Sequence, residues 1–150
     1  MERIEPRRRR SGALILLLSL AALLCAAACD SGPDWGIPPA AKNRANPVPA
    51  TQNLAATQSL YADRCARCHG EQGAGDGPDA KLYKPLPSSL TSEQVRQSTD
   101  GEIFWKISKG RRPMPSYEGE LSEEQRWELV NLLRSFAAKA DASQPTAAGR

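Results

Sequence analysis

At 150 residues the chain has room for one ordinary domain, and its formal net charge of +3 rests on 20 basic and 17 acidic residues. Residues 1–28 hold five of those basic residues and two of the acidic ones, so the remainder carries 15 of each, and nothing in it asks for nucleic acid or a generally acidic partner. Two of the four cysteines, Cys25 and Cys29, fall in the first 29 residues, and the two that remain exclude a disulfide-stapled scaffold.

Residues 1–28 read as a targeting segment. The basic cluster Arg7-Arg8-Arg9-Arg10 precedes an apolar run from Ala13 to Ala28 that ends in small residues. The cluster predicts arginines inside and the rest of the chain outside, on the periplasmic side of a bacterial inner membrane. Ala26-Ala27-Ala28-Cys29 is similar to a lipobox, in which Cys29 becomes the lipid-modified first residue, with Ala26 where leucine is usual. Plain cleavage and an uncleaved anchor are the alternatives.

Residues 29–52 are rich in Pro, Ala, Asn and Gly, and the repeated prolines predict a semi-rigid tether of about two dozen residues. Trp35, within it, is expected to rest on the domain or on the membrane interface. A helix is predicted from Asn53 to Ala66, with Leu54, Thr57/Gln58, Tyr61 and Cys65 at helical spacing. The run "HGEQGAGDGPDA" breaks it, and "YKPLPSSL" continues as loop. Thr91 and Gln94 fit a capping box, with Leu90 and Val95 as a staple. Asp100 is expected to cap a helix over Gly101 to Ser108 that Gly110 ends. Ser122 and Gln125 form a second capping box, opening a helix with a broad apolar face of Trp127, Leu129, Val130, Leu132, Leu133 and Phe136. Residues 138–150 read as a disordered tail. The expected domain is all-α, residues 53–137, in a size range where a core is marginal without a staple or a cofactor.

Chemistry concentrates in Cys65-Ala66-Arg67-Cys68-His69. A structural zinc site wants about four ligands, whereas His69 is the single histidine and no further cysteine remains in the fold. A thiol–disulfide pair wants a helix start within an α/β unit, and here the pair closes a helix in an all-α chain. The third reading, covalent attachment of a c-type haem, needs two thiols separated by two residues and the adjacent histidine as proximal ligand, and it fits each point. The distal ligand follows by elimination: with Met1 in the targeting segment, Met114 is the methionine left, in a loop stiffened by Pro113 and Pro115.

With "YADRCARCHGEQGAGDGP" early and "GEIFWKISKGRRPMPSYEGELSEEQRWELVNLLRSF" late, the chain resembles a class I cytochrome c of the small bacterial monohaem type over residues 54–137. The resemblance implies one haem c bound through Cys65 and Cys68, with His69 proximal and Met114 distal on the iron. It also implies the Pro78 carbonyl as acceptor for the His69 Nδ1–H, and the "GAGDG" run wrapped on the haem edge. Arg111 and Arg112, next to the Met114 loop, either pair with the propionates or stand as solvated basic residues, and Trp105 and Tyr117 are expected to pack around the haem. The family's first and last helices usually cross with a glycine against an aromatic, whereas here Ala55, Ala56, Thr57 and Ser59 face a helix with Leu132.

Both axial positions filled leaves no open site for a small-molecule substrate and implies single-electron transfer rather than catalysis. The expected partners are membrane redox complexes, a quinol-oxidising complex and a terminal oxidase, met through a basic edge of Lys106, Lys109, Arg111 and Arg112. A fixed subunit of a larger redox complex, such as an alternative complex III or a terminal oxidase, is the alternative; a sensing haem with displaceable Met114 is the third.

Overall fold

The last long helix organises the chain. The computed structural model describes residues 35–143, and within them helices α1 (Pro39–Lys42), α2 (Leu54–Arg64), α3 (Ala66–His69), α4 (Glu93–Gln97), α5 (Asp100–Lys109) and α6 (Glu123–Ser143) are joined by loops and one 3₁₀ turn, Ala80–Leu82. Among the described residues the single β feature is an isolated bridge between Arg111 and Met114. The all-α expectation holds.

α6 starts where its side chains can satisfy the free backbone groups of a first turn. The Ser122 amide donates to Gln125 Oε1 at 2.9 Å and the Gln125 amide donates to Ser122 Oγ at 3.1 Å, the expected capping box. Its apolar stripe of Trp127, Leu129, Val130, Leu132 and Leu133 is buried. α5 packs on this stripe with Phe104 stacked on Trp127, centroids 4.0 Å apart and planes 17° from parallel. α2 crosses it through Tyr61 and Phe136, edge to face at 5.0 Å. At the same crossing Thr57 is buried and its hydroxyl lies 3.4 Å from Glu128 Oε2, whose other oxygen accepts from Asn53 Nδ2 at 2.7 Å. A hydroxyl–carboxylate contact thus stands at the helix crossing.

Several expectations need correction. α2 ends at Arg64 and Cys65 sits in a break before α3; Leu54, at the helix start, is 42% exposed, leaving Thr57 and Tyr61 as the buried face. The Thr91–Gln94 box does not form, because the N-cap of α4 is Ser92 and the Thr91 hydroxyl pairs with Ser89 Oγ. α5 is capped by Thr99, not Asp100: Thr99 Oγ1 accepts from the Glu102 amide and Glu102 Oε2 accepts from the Thr99 amide. Asp100 is thereby released to receive Arg134 Nε at 2.8 Å. α6 runs past residue 137 to Ser143, with Asp141 paired to Arg96 at 3.2 Å; the rest of the expected tail lies outside the described residues.

The expected tether is the largest correction. Residues 35–52 belong to the same compact unit as the helices. Prolines deny this arm a regular ladder, so side chains dock it instead. Asn46 Nδ2 donates to the Trp127 carbonyl at 3.2 Å and to Asn131 Oδ1 at 2.9 Å, and Asn131 returns bonds to the Val48 and Pro49 carbonyls. The Arg44 guanidinium lies over the Phe104 and Trp127 rings and pairs with Glu123. Gly101 lets α1 come in close: a Cβ there would stand 2.1 Å from the Ala41 carbonyl oxygen. The expected targeting segment and Cys29 lie outside the described residues.

Candidate functional site

The break at Cys65 places the motif. Its amide still closes on the Tyr61 carbonyl at 2.8 Å, while its own carbonyl accepts from the Cys68 amide at 3.1 Å and the His69 amide at 2.9 Å, starting the single turn α3. In such a turn residues i, i+3 and i+4 share a face, so Cys65, Cys68 and His69 project together. All three line one cavity, with Met114 and Pro113 contributing from the loop after α5. The empty space between its walls, the open mouth included, is about 740 Å³.

The walls are apolar, and this governs the titrating groups. Burial pushes the Cys65 thiol up to about 12, with the neighbouring Cys68 adding to the effect. Burial lowers the His69 imidazole, and the bond to Ser88 opposes that shift. A neutral imidazole and a neutral Cys65 thiol are the forms such surroundings favour. Neither cysteine is in a disulfide. Among the described residues no three His, Cys, Asp or Glu side chains assemble into a metal-holding cluster.

His69 is fixed differently from expectation. Its Nδ1 bonds the Ser88 carbonyl at 3.0 Å; Pro78 instead lies on a separate groove beside Ala66 and Arg67. The loop Pro85–Ser88 lines the cavity beside the histidine, and it is this loop that presents a carbonyl to the ring. The "GAGDG" run does not wrap the cavity either. Gly75, with φ +83°, packs behind the Ser88 loop, where a Cβ would lie 2.9 Å from the Pro87 carbonyl oxygen. Two bonds, from the Gly75 amide to the His69 carbonyl at 2.8 Å and from the Leu90 amide to the Gly73 carbonyl at 2.6 Å, hold the run there.

Across the cavity, Arg111 and Met114 pair through their backbones, amide to carbonyl, at 3.0 and 2.8 Å. Arg111, Arg112 and Tyr117 line the cavity as expected, but the Tyr117 hydroxyl is committed to the Arg64 carbonyl at 2.8 Å. Trp105 does not line it and lies under the Lys109 ammonium. Trp35 does line it, with Arg111 over its ring. Sequence reasoning missed Ser88; it expected Trp35 on the domain or the membrane interface, and the structure seats it on the domain at this cavity.

The site's donor set, two thiols three apart, an imidazole oriented through Nδ1 and a thioether on the same apolar cavity, fits a covalently held haem. Residues 52–133 match the family model for cytochrome C oxidase, cbb3-type, subunit III. The chain is similar to cytochrome c6 of Parathermosynechococcus lividus, 26% identical over 87 residues that cover 58% of this chain and 94% of that protein. Cytochrome c6 of Thermosynechococcus vestitus is likewise 26% identical, over 93 residues, covering 62% and 79%. Among solved structures, a chain of the Kuenenia stuttgartiensis reducing HAO-like protein complex Kustc0457/Kustc0458 matches in fold with a TM-score of 0.52 at 23% identity, covering 89% of this chain and 62% of that one.

Proposed function

The chain belongs to the cytochrome c family defined by that subunit III model, whose cofactor is covalently bound haem c, and from this we propose that it is a membrane-tethered, periplasmic monohaem carrier that transfers single electrons between respiratory-chain components. Bound haem c supplies one-electron Fe(III)/Fe(II) chemistry. Cys65 and Cys68 would hold the group by thioether bonds, and His69 and Met114 would ligate its iron. The Ser88 carbonyl keeps the proton of His69 on Nδ1, so that Nε2 is the nitrogen offered to the iron. The walls are largely apolar, and Met114, backed by its pairing with Arg111, would take the iron position a substrate would need.

The observation that carries this reading is that Met114 and His69 line the same cavity as both cysteines. The electron donors and acceptors are membrane redox complexes of the quinol-oxidising and terminal-oxidase kinds, reached through the basic edge that includes Arg111 and Arg112. Lipidation at Cys29 supplies the tether; among the described residues no helix is long and apolar enough to cross a membrane.

A reduced-minus-oxidised optical spectrum tests the site: the purified protein shows sharp c-type bands and, oxidised, a weak near-infrared Met–Fe(III) band that Met114→Ala abolishes. Persistence of that band in the variant refutes Met114 as ligand. The family, described as a subunit of a cbb3-type oxidase, favours a second reading, a fixed cytochrome subunit of a larger membrane redox complex. Co-purification with integral-membrane subunits in mild detergent selects that reading; isolation of the chain alone selects the shuttle.

A further inference from the structure

Trp35 lies outside the region matched by the family, which begins at residue 52, yet its indole lines the cavity that holds Cys65, Cys68, His69 and Met114. Two cations stand over its ring, the Arg111 guanidinium at 4.4 Å and the Lys106 ammonium at 5.9 Å from the centroid. Arg111 is the residue whose backbone pairs in both directions with Met114, so the indole is held against the loop that carries the thioether. The arm behind it is pinned independently: Thr99 Oγ1 donates to the Lys42 carbonyl at 2.6 Å and Asn46 is bonded to α6. An aromatic ring fixed at both ends in this way is a wall rather than a loose terminus.

We propose that Trp35 is a positioning residue of the electron-transfer site: delivered by the N-terminal arm and clamped by Arg111 and Lys106, it keeps water from the Met114 side of the bound haem. It thereby sets the redox potential and the access of foreign ligands to the iron. The physical basis is general. Water admitted beside a haem stabilises the more highly charged oxidised state, so a drier site has the higher potential. The proposal rests on the haem reading given above.

The test uses the full-length holoprotein. In Trp35→Ala the midpoint potential falls and imidazole displaces the distal ligand of the oxidised form several-fold faster, while Trp35→Phe, which keeps a ring under the cations, stays close to the wild type. Trp105→Ala, whose ring lies outside the cavity, changes neither quantity. Unchanged potential and imidazole kinetics in Trp35→Ala overturn the proposal. Should that variant fail to load haem, the wild-type chain labelled with 5-fluorotryptophan supplies the answer. The resonance missing from Trp35→Phe must broaden or shift on oxidation to Fe(III), and a resonance indifferent to oxidation state overturns the proposal. A wild-type chain without c-type bands overturns the haem reading beneath it; c-type bands with indifferent Trp35 variants overturn this proposal alone.

Discussion

His69 Nδ1 and the Ser88 carbonyl lie 3.0 Å apart, and Gly75 supports that pairing from behind the loop. Gly75→Ala forces a Cβ to within 2.9 Å of the Pro87 carbonyl oxygen at a φ of +83°. Backbone strain of this kind costs on the order of 1–3 kcal/mol. Denaturant unfolding of the holoprotein should register that loss. Because the push falls on the residue before Ser88, the midpoint potential should move as well, whereas a purely structural defect leaves it in place.

Tyr61 donates its hydroxyl to the Gly70 carbonyl at 2.7 Å from a buried ring. The same carbonyl accepts from the Gly73 amide at 3.1 Å, so Tyr61→Phe leaves it with one partner. The expected loss is about 1 kcal/mol, read in chemical denaturation, with the c-type spectrum unchanged.

Arg134 closes the carboxyl end of α4. Its guanidinium donates to the carbonyls of Val95 at 3.2 Å, Arg96 at 3.1 Å and Ser98 at 2.5 Å, and its Nε donates to Asp100. Removing the fork in Arg134→Met takes this donor from the Arg96 and Ser98 carbonyls and the Asp100 carboxylate, while the Val95 carbonyl keeps the Ser98 amide at 3.2 Å, at a cost of about 2–4 kcal/mol. Arg134→Lys recovers only a minor part, because one ammonium cannot reproduce a planar fork. Thermal unfolding of the two variants against the wild type measures both statements.

Gly101 governs the docking of the arm. A Cβ there meets the carbonyls of Ala41 at 2.1 Å, Lys42 at 2.8 Å and Arg44 at 3.0 Å. Alanine is otherwise the better helix former, so Gly101→Ala leaves α5 intact and lifts the arm. Limited proteolysis should then cut within residues 39–48 at least ~10-fold faster, the ratio that about 1.4 kcal/mol of lost docking produces. Equal cutting rates in variant and wild type count against the arm as a docked element.

What could be seen in advance was what side-chain spacing encodes. Cys65, Cys68 and His69 are fixed to one face by a single helical turn, Met114 was reached by elimination, and Ser122 with Gln125 announced the start of α6. Ser88 was out of reach because a backbone carbonyl carries no residue signature; only the path of the loop brings it to the ring. Thr99 rather than Asp100 caps α5, and the Asp100 carboxylate meets Arg134, a partner too distant in sequence to be read from local spacing. The arm was misread for a related reason. Prolines exclude regular hydrogen bonding and so resemble a linker, while the docking rests on Asn46, Arg44 and a bare Gly101, each of which means little until α5 and α6 are in place.

The docked arm also resets the geometry of attachment. Only residues 30–34 separate Cys29 from Trp35, a span of about 20 Å at full extension. For a chain lipidated at Cys29, this short leash ends at a residue that lines the cavity. The reactive edge is then confined to a shallow layer over the bilayer, at high effective concentration for low-lying membrane partners and out of reach of tall ones. Inserting a flexible segment between residues 30 and 34 would widen that layer without touching the fold.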